Sequence, residues 1–338
     1  MKRFDYIKPA TVSEAVSALA ANSGAQLIAG GTNIVDLMKY DVVAPSVLVD
    51  INGLALKDIE ALPNGGFRIG ALATNSAIAY HEGIQQQYPL LSSAILAGAS
   101  PQLRNAATAG GNLLQRTRCY YFYDPSTPCN KREPGSGCSA IGGVNRIHAI
   151  LGASEACVAT HPSDMCVGLA ALDAVVEVTG PDGKREIAFA DFHRLPGDMP
   201  EKDNTLKPAE MVTAIRIESQ PGTRHHTYLK LRDRLSYAFA LVSVAVSLDM
   251  DGDVVTAARV ALGGVAHKPW RNAEAEAALV GRSPSESDFE TFAATLLAPA
   301  KGQGANDFKI PLARKAIVRA LRQAVAGTPQ VQSVKAIA

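Results

Sequence analysis

Cysteine supplies the most conspicuous chemistry in this sequence. Cys119, Cys129, Cys138, Cys157 and Cys166 fall within one 48-residue stretch of a 338-residue chain that has no other cysteine. Disulfides placed for general stability would be scattered, so the clustering marks a local site. The first four are separated by nine, eight and eighteen residues, mostly Gly-, Pro- and Ser-rich chain such as Glu133-Pro134-Gly135-Ser136-Gly137 and Ile141-Gly142-Gly143. A loop of this kind can bend four thiolates round one metal centre, a donor set suited to zinc or iron–sulfur. Structural zinc sites commonly use cysteines about two to four residues apart, and no such pair occurs here. Disulfide pairing remains a competitor at this stage. Cys166 lies in a helical stretch and reads as a buried, inert thiol, with a ligand role open to it only if Cys157 has none.

Glycine supplies the second chemistry. Ala29-Gly30-Gly31-Thr32-Asn33 stands between an apolar strand and a helical pattern. Two glycines there let the backbone turn its N–H groups towards one point, beside the positive end of the next helix. A diphosphate needs that arrangement, with Thr32 and Asn33 as further donors, although a tight turn alone explains the pattern equally well. Thr108-Ala109-Gly110-Gly111-Asn112-Leu113 repeats the small-Gly-Gly-Asn character after Gln102-Leu103-Arg104-Asn105. Two such segments facing each other can clamp a dinucleotide. Neither is the G-x-G-x-x-G fingerprint of a Rossmann domain.

The flanking sequence indicates what positions these groups. Thr11 caps a helix over 13–19, with Glu14 at the reciprocal capping position. A short entering strand at the N-terminus, a strand at 26–29, a helix at 33–39 and a strand at 46–51 make a small α/β unit, residues 1–55. A second unit, 56–222, has strands at 67–71, 156–159 and 174–178, helices at 76–80, 89–96 and 163–172, and the irregular loop 119–157. A third, 223–330, has strands at 239–248 and 254–262 joined by the hairpin-like Asp251-Gly252-Asp253. Its helices lie at 273–280, 287–297 and 312–325, and the chain from about 327 reads as a mobile tail.

Composition narrows the function classes. The chain has 33 Lys+Arg against 32 Asp+Glu, which gives no polyanion-binding signature, so nucleic acid is not an expected partner. No apolar run reaches the roughly 18 residues that span a bilayer, so no membrane insertion is expected. The N-terminus lacks the apolar stretch of a secretory signal, which points to the cytoplasm unless a signal-bearing partner carries the chain out.

Taken in order, Ala29-Gly30-Gly31-Thr32-Asn33, Arg104-Asn105 with Thr108 to Asn112, His161-Pro162-Ser163-Asp164-Met165, and Lys230 with Arg232-Asp233-Arg234 resemble the FAD-binding subunits of the xanthine oxidase family of molybdenum hydroxylases. The resemblance continues through 113–119, 128–132 and 261–270 and covers essentially the whole chain. It implies an α+β fold, with two FAD-binding subdomains followed by a smaller C-terminal α+β domain built on a small antiparallel sheet with helices. It further implies that Leu27, Ile28, Ala29, Gly30, Gly31, Thr32 and Asn33, with Thr108, Ala109, Gly110, Gly111 and Asn112, hold the FAD diphosphate. Asp164 would accept from ribityl or ribose hydroxyls, Lys230 would lie near the isoalloxazine, and Val212 would pack on the flavin. Without the resemblance, Asp164 reads as a helix cap, Lys230 as an edge-strand lysine, and His161 as structural.

Most flavin subunits of the family lack the cysteine insertion. Those of the aldehyde oxidoreductase and 4-hydroxybenzoyl-CoA reductase branches have it, and the resemblance to the former implies that Cys119, Cys129, Cys138 and Cys157 bind a [4Fe-4S] cluster. The chain has no plant-type C-x4-C-x2-C run and no room for a molybdopterin-binding region. The resemblance therefore implies a heterotrimer, with the molybdenum cofactor on a large subunit and [2Fe-2S] clusters on a small one. Electrons would pass from these to FAD and on to an external acceptor, with substrate chemistry elsewhere, and the complex would reach the periplasm by co-export. Two other classes compete: a self-sufficient flavin oxidase or dehydrogenase of the vanillyl-alcohol oxidase type, and a colourless zinc-stabilised scaffold.

Overall fold

The computed structural model describes residues 1–220 and 224–332. The expected boundary at 222/223 lies outside the described residues, as does the tail from 333 onward.

The N-terminal unit contains β1 (Asp5–Ile7), α1 (Val12–Ala21), β2 (Ala25–Ile28), α2 (Ile34–Lys39) and β3 (Val47–Asp50). Its sheet is parallel with order β1-β3-β2, and the central strand β3 is buried along its whole length. Thr11 Oγ1 accepts from Glu14 N at 3.1 Å, as expected, but Glu14 Oε2 accepts from Ala10 N at 2.7 Å, one residue before the cap.

The second unit holds β4 (Ile59–Ala61), β5 (Phe67–Gly70), α3 (Asn75–Tyr80), α4 (Glu82–Gln87), α5 (Pro89–Ala97), α6 (Pro101–Ala106), α7 (Ala109–Leu114), the single turn α8 (Tyr120–Tyr123), α9 (Asp164–Ala171), β6 (Val175–Gly180), β7 (Gly183–Ala188), α10 (Phe189–Phe192) and β8 (Met211–Ile217). Its five strands form an antiparallel sheet, order β4-β5-β8-β6-β7, whose core includes residues of α3, α5 and α9. Two expectations are corrected. Residues 156–159 are not a strand: Cys157 makes only an isolated bridge to Ser154, and the segment joins no sheet. The second glycine segment is not a turn but the first turn of α7, whose N-cap Thr108 accepts from Gly111 N at 3.3 Å.

The third unit contains β9 (His225–Leu231), β10 (Val242–Asp251), β11 (Val254–Gly263), α11 (Ala273–Leu279), α12 (Glu286–Leu296) and α13 (Lys309–Val325). The sheet is antiparallel with order β11-β10-β9. Val244, Val246 and Leu248 share a core with α11 to α13, while Ala245 and its cross-strand partner Ala261 join the core of α5 and α9. Small residues at that pair let α9 lie close against the sheet. Helix α13 starts before Pro311, where proline removes only a first-turn N–H that has no partner anyway. The described part of the expected mobile tail is docked along β9: Gln330 N donates to Thr227 Oγ1 at 3.0 Å and Gln332 Nε2 to Tyr228 O at 3.0 Å. Among the described residues, no helix is long and apolar enough to cross a membrane.

Candidate functional site

The two glycine segments meet. A Cβ on Gly30 would stand 1.8 Å from Ala106 O, so the turn after β2 is pressed against the backbone joining α6 to α7. Gly31 completes the turn at φ +72°, the left-handed region that favours glycine. Leu27 and Ile28 lie at the end of β2, and Ala29, Thr32 and Asn33 continue into α2. On the facing side, Ala109 N donates to Ala73 O at 2.9 Å and Gly110 N to Ala71 O at 2.8 Å, fixing the start of α7.

Asn112 extends this grouping. Its Oδ1 accepts from Gln115 Nε2 at 2.8 Å and from Ser163 Oγ, the N-cap of α9. Ser163 rather than Asp164 therefore caps that helix, and the Asp164 carboxylate is free for other partners. Its Oδ1 accepts from Tyr228 OH at 2.7 Å and its Oδ2 from Lys230 Nζ at 2.7 Å. Lys230 also donates to Ala97 O at 3.1 Å, and its side chain is 3% exposed against 8% for Asp164. Lys230 is thus a buried partner of Asp164 rather than a solvated edge lysine. Val212 lies apart from this network, on the central strand β8 opposite Val178, within the core that also holds Leu113.

Cys119, Cys129, Cys138 and Cys157 line one small pocket, and all are free thiols. Backbone pairing sets Cys129 opposite Cys138. Burial pushes the Cys119 thiol up to about 12 and the Cys157 thiol up to about 11. A bound cation would offset that penalty on the thiolate form. Tetrahedral zinc, with Zn–S of roughly 2.3 Å, would hold its sulfurs about 3.8 Å apart. Among the described residues the one trio of His, Cys or acidic side chains whose ligand atoms all lie within 4.8 Å is His161, Cys166 and His193. No three of the four loop thiols have their sulfurs all within 4.8 Å of one another. Cys166 is fully buried in the core and does not line the pocket.

Several polar residues at this pocket escaped sequence reasoning because the groups they meet lie far away in sequence. His148 Nε2 stands 3.0 Å from Cys119 Sγ, and His267 Nε2 stands 3.7 Å from Cys157 Sγ. Burial pushes these imidazoles down to about 4 and about 3. Lys131 is buried behind Cys157, donates to Pro200 O at 2.6 Å, and pairs with Asp203, which also pairs with Arg116. Burial raises the Asp203 carboxyl, but these two cations outweigh it and hold it below the usual carboxylate range. His161 and His193 pack against each other, ring centroids 4.4 Å apart and planes tilted by 55°, and direct both Nε2 atoms at Leu113 O, a structural arrangement beneath α7.

The glycine segments and the thiol pocket share a wall. Asn33 Oδ1 accepts from Arg116 N at 2.8 Å, three residues before Cys119. Tyr123, within α8, donates to Asp36 Oδ2 at 2.9 Å, tying the cysteine loop to α2.

Comparison with known proteins places nearly the whole chain among flavoprotein families. Residues 2–218 match the family described as FAD binding domain in molybdopterin dehydrogenase, and residues 226–324 match the CO dehydrogenase flavoprotein C-terminal domain. The chain is 50% identical over 325 residues to the aldehyde oxidoreductase FAD-binding subunit PaoB of Escherichia coli (strain K12), covering 96% of this chain and 99% of that one. It is 26% identical to the carbon monoxide dehydrogenase medium chain of Afipia carboxidovorans, covering 96% and 97%. In structure it matches a chain of the reconstituted CO dehydrogenase from Oligotropha carboxidovorans with a TM-score of 0.75 and 25% identity, covering 96% and 98%.

Proposed function

Because this chain belongs to the family of FAD-binding subunits of molybdopterin dehydrogenases, we propose that it is the FAD- and [4Fe-4S]-carrying subunit of a heterotrimeric molybdenum aldehyde oxidoreductase. FAD and the cluster supply the redox chemistry when bound, between [2Fe-2S] centres on a small partner and an external acceptor. A large molybdopterin subunit carries out the substrate chemistry, and the complex is exported to the periplasm on a partner's signal.

The chain's own residues hold and insulate. Gly30, Gly31, Thr32 and Asn33 would seat the diphosphate on backbone N–H groups. Thr108, Ala109, Gly110, Gly111 and Asn112 would close the site from the other side by close approach and side chains, since the N–H groups of Ala109 to Asn112 are bonded within the chain. Leu27, Ile28 and Ala29 form the apolar floor before them. Asp164 would accept from the ribityl or ribose hydroxyls through lone pairs not taken by Tyr228 and Lys230, with Lys230 and Val212 towards the flavin. Cys119, Cys129, Cys138 and Cys157 would ligate the cluster, beside the buried cation Lys131, which offsets its negative charge. The observation that carries the reading is the bond between Asn33 and Arg116 N, which fixes the glycine turn to the segment leading into Cys119.

Flavin, iron and acid-labile sulfide assays with an absorption spectrum test this reading. A yellow-brown protein is expected, and Cys129→Ser should lose iron and keep flavin. A colourless zinc protein would reject it, and so would aldehyde turnover by the isolated chain.

A further inference from the structure

We propose that His148 is the hydrogen-bond donor that sets the reduction potential of the cluster at the four-cysteine pocket. The inference rests on the cluster reading above and goes beyond it by assigning a residue outside the thiol set.

Three observations point to this role. His148 Nε2 stands 3.0 Å from Cys119 Sγ, in a fully buried setting. A thiolate sulfur bound to iron has no hydrogen to give, so the hydrogen on this contact belongs to Nε2 and the sulfur accepts. The imidazole is also held at the backbone by the third unit. His148 O accepts from Lys309 Nζ at 2.8 Å and from Asn306 Nδ2 at 3.1 Å. Asn306 reaches Ala149 O at 3.0 Å as well, and Ile150 N donates to Val265 O at 2.9 Å. These bonds clamp the backbone that carries the ring, and the ring itself packs beside Tyr120 and Tyr121.

Hydrogen bonds to cluster sulfurs stabilise the more negative, reduced state and raise the potential. A side chain there that only packed would be served by any residue of similar volume. The geometry requires a donor, and the clamp means that docking of the third unit, rather than the cysteine loop alone, delivers it. His148 is therefore a positioning and tuning residue and not a ligand.

The test uses the full-length chain, purified with whatever subunits accompany it, as wild type, His148→Leu and His148→Gln. Iron and sulfide content is measured first, followed by a redox titration read by low-temperature electron paramagnetic resonance. His148→Leu should keep its iron and lower the potential. The reduced-to-oxidised ratio at fixed potential should fall roughly tenfold, about 59 mV for one electron. His148→Gln, which keeps a donor, should recover most of that shift. Full iron content with an unshifted potential in His148→Leu overturns the proposal, and so does equal loss of iron in both variants, which would make the residue a packing element. Wild-type protein without iron and sulfide removes the cluster reading itself, a failure distinct from an unshifted variant.

Discussion

The Asp164–Lys230 pair allows a quantitative test of whether these two predicted site residues act as one unit. Both side chains are nearly inaccessible, and the Nζ–Oδ2 separation is 2.7 Å. Replacing Lys230 by Met leaves a buried carboxylate with the Tyr228 hydroxyl as its remaining short-range donor. Replacing Asp164 by Asn leaves a buried ammonium with Ala97 O. Breaking a buried pair from either side costs about 3–5 kcal/mol, because the other charge stays desolvated and uncompensated. That is a large share of a total stability on the order of 5–15 kcal/mol. The double variant Asp164→Asn with Lys230→Met strands neither charge, so it should cost less than the sum of the singles by about 2 kcal/mol or more. Tyr228→Phe removes one hydrogen bond to a charged group and should cost about 1.5–3 kcal/mol. Urea unfolding of the four proteins at matched pH gives the cycle. Additivity within about 0.5 kcal/mol would refute the reasoning, since it would mean that the two groups do not share a field.

Two other perturbations separate conformational from electrostatic effects. Gly30→Ala forces a Cβ to 1.8 Å from Ala106 O and 2.5 Å from Ala106 C, backbone atoms that cannot yield, so it should cost about 3 kcal/mol or more and release flavin. Gly31→Ala meets only the φ of +72° and Val35 Cγ2 at 3.2 Å, and should cost about 1–2 kcal/mol. Thermal melts showing equal losses for the two would argue against the close approach of the glycine segments. His193 is held down to about 4 by burial, against an ordinary value of 6.5, so the folded state keeps it neutral while the unfolded chain takes up a proton. Its contribution is present above pH 6.5 and falls away as the pH drops towards 4, by about 3 kcal/mol in all. Melting temperature followed over that range should drop, and His193→Gln should flatten the slope; an unchanged slope would exclude His193 as its source.

Local pattern made much of this fold readable. Strand β3, the turn at Gly252 and the helices of the third unit follow from periodicity, capping and turn chemistry that operate within a few residues. The misreadings have local causes as well. Pro311 masked the first turn of α13, and Gly110-Gly111 suggested a turn because Thr108, the cap that makes it a helix start, is equally at home in a loop. The cysteines and glycines of the site were legible because their types are unusual at that density. His148, His267, Asp203 and Lys309 carried no such mark, since each reaches the pocket or its supports across a long sequence separation.

That separation also explains how the cysteine loop holds a shape. Ordering each residue costs roughly 1–2 kcal/mol of backbone entropy, and this stretch has almost no ladder of its own to offset it. Side chains supply the missing hydrogen bonds. Arg132 donates to Tyr121 O at 2.7 Å, to Phe122 O at 2.9 Å and to Thr127 O. Asn130 accepts from Gly137 N at 2.8 Å and donates to Ala156 O at 2.9 Å. From the third unit, Gln303 O accepts from Asn145 Nδ2 at 2.8 Å, while the fully buried Lys309 donates to Gly264 O at 2.6 Å and to His148 O at 2.8 Å. Burial and the nearby Arg146 push that ammonium down to about 7, yet the carbonyls around it favour the charged form and give it the partners a buried cation needs. A small metal-folded domain takes its order from the ion it binds. Here these protein contacts order the loop that carries the four cysteines, and the Asn33 bond to Arg116 N joins it to the glycine turn.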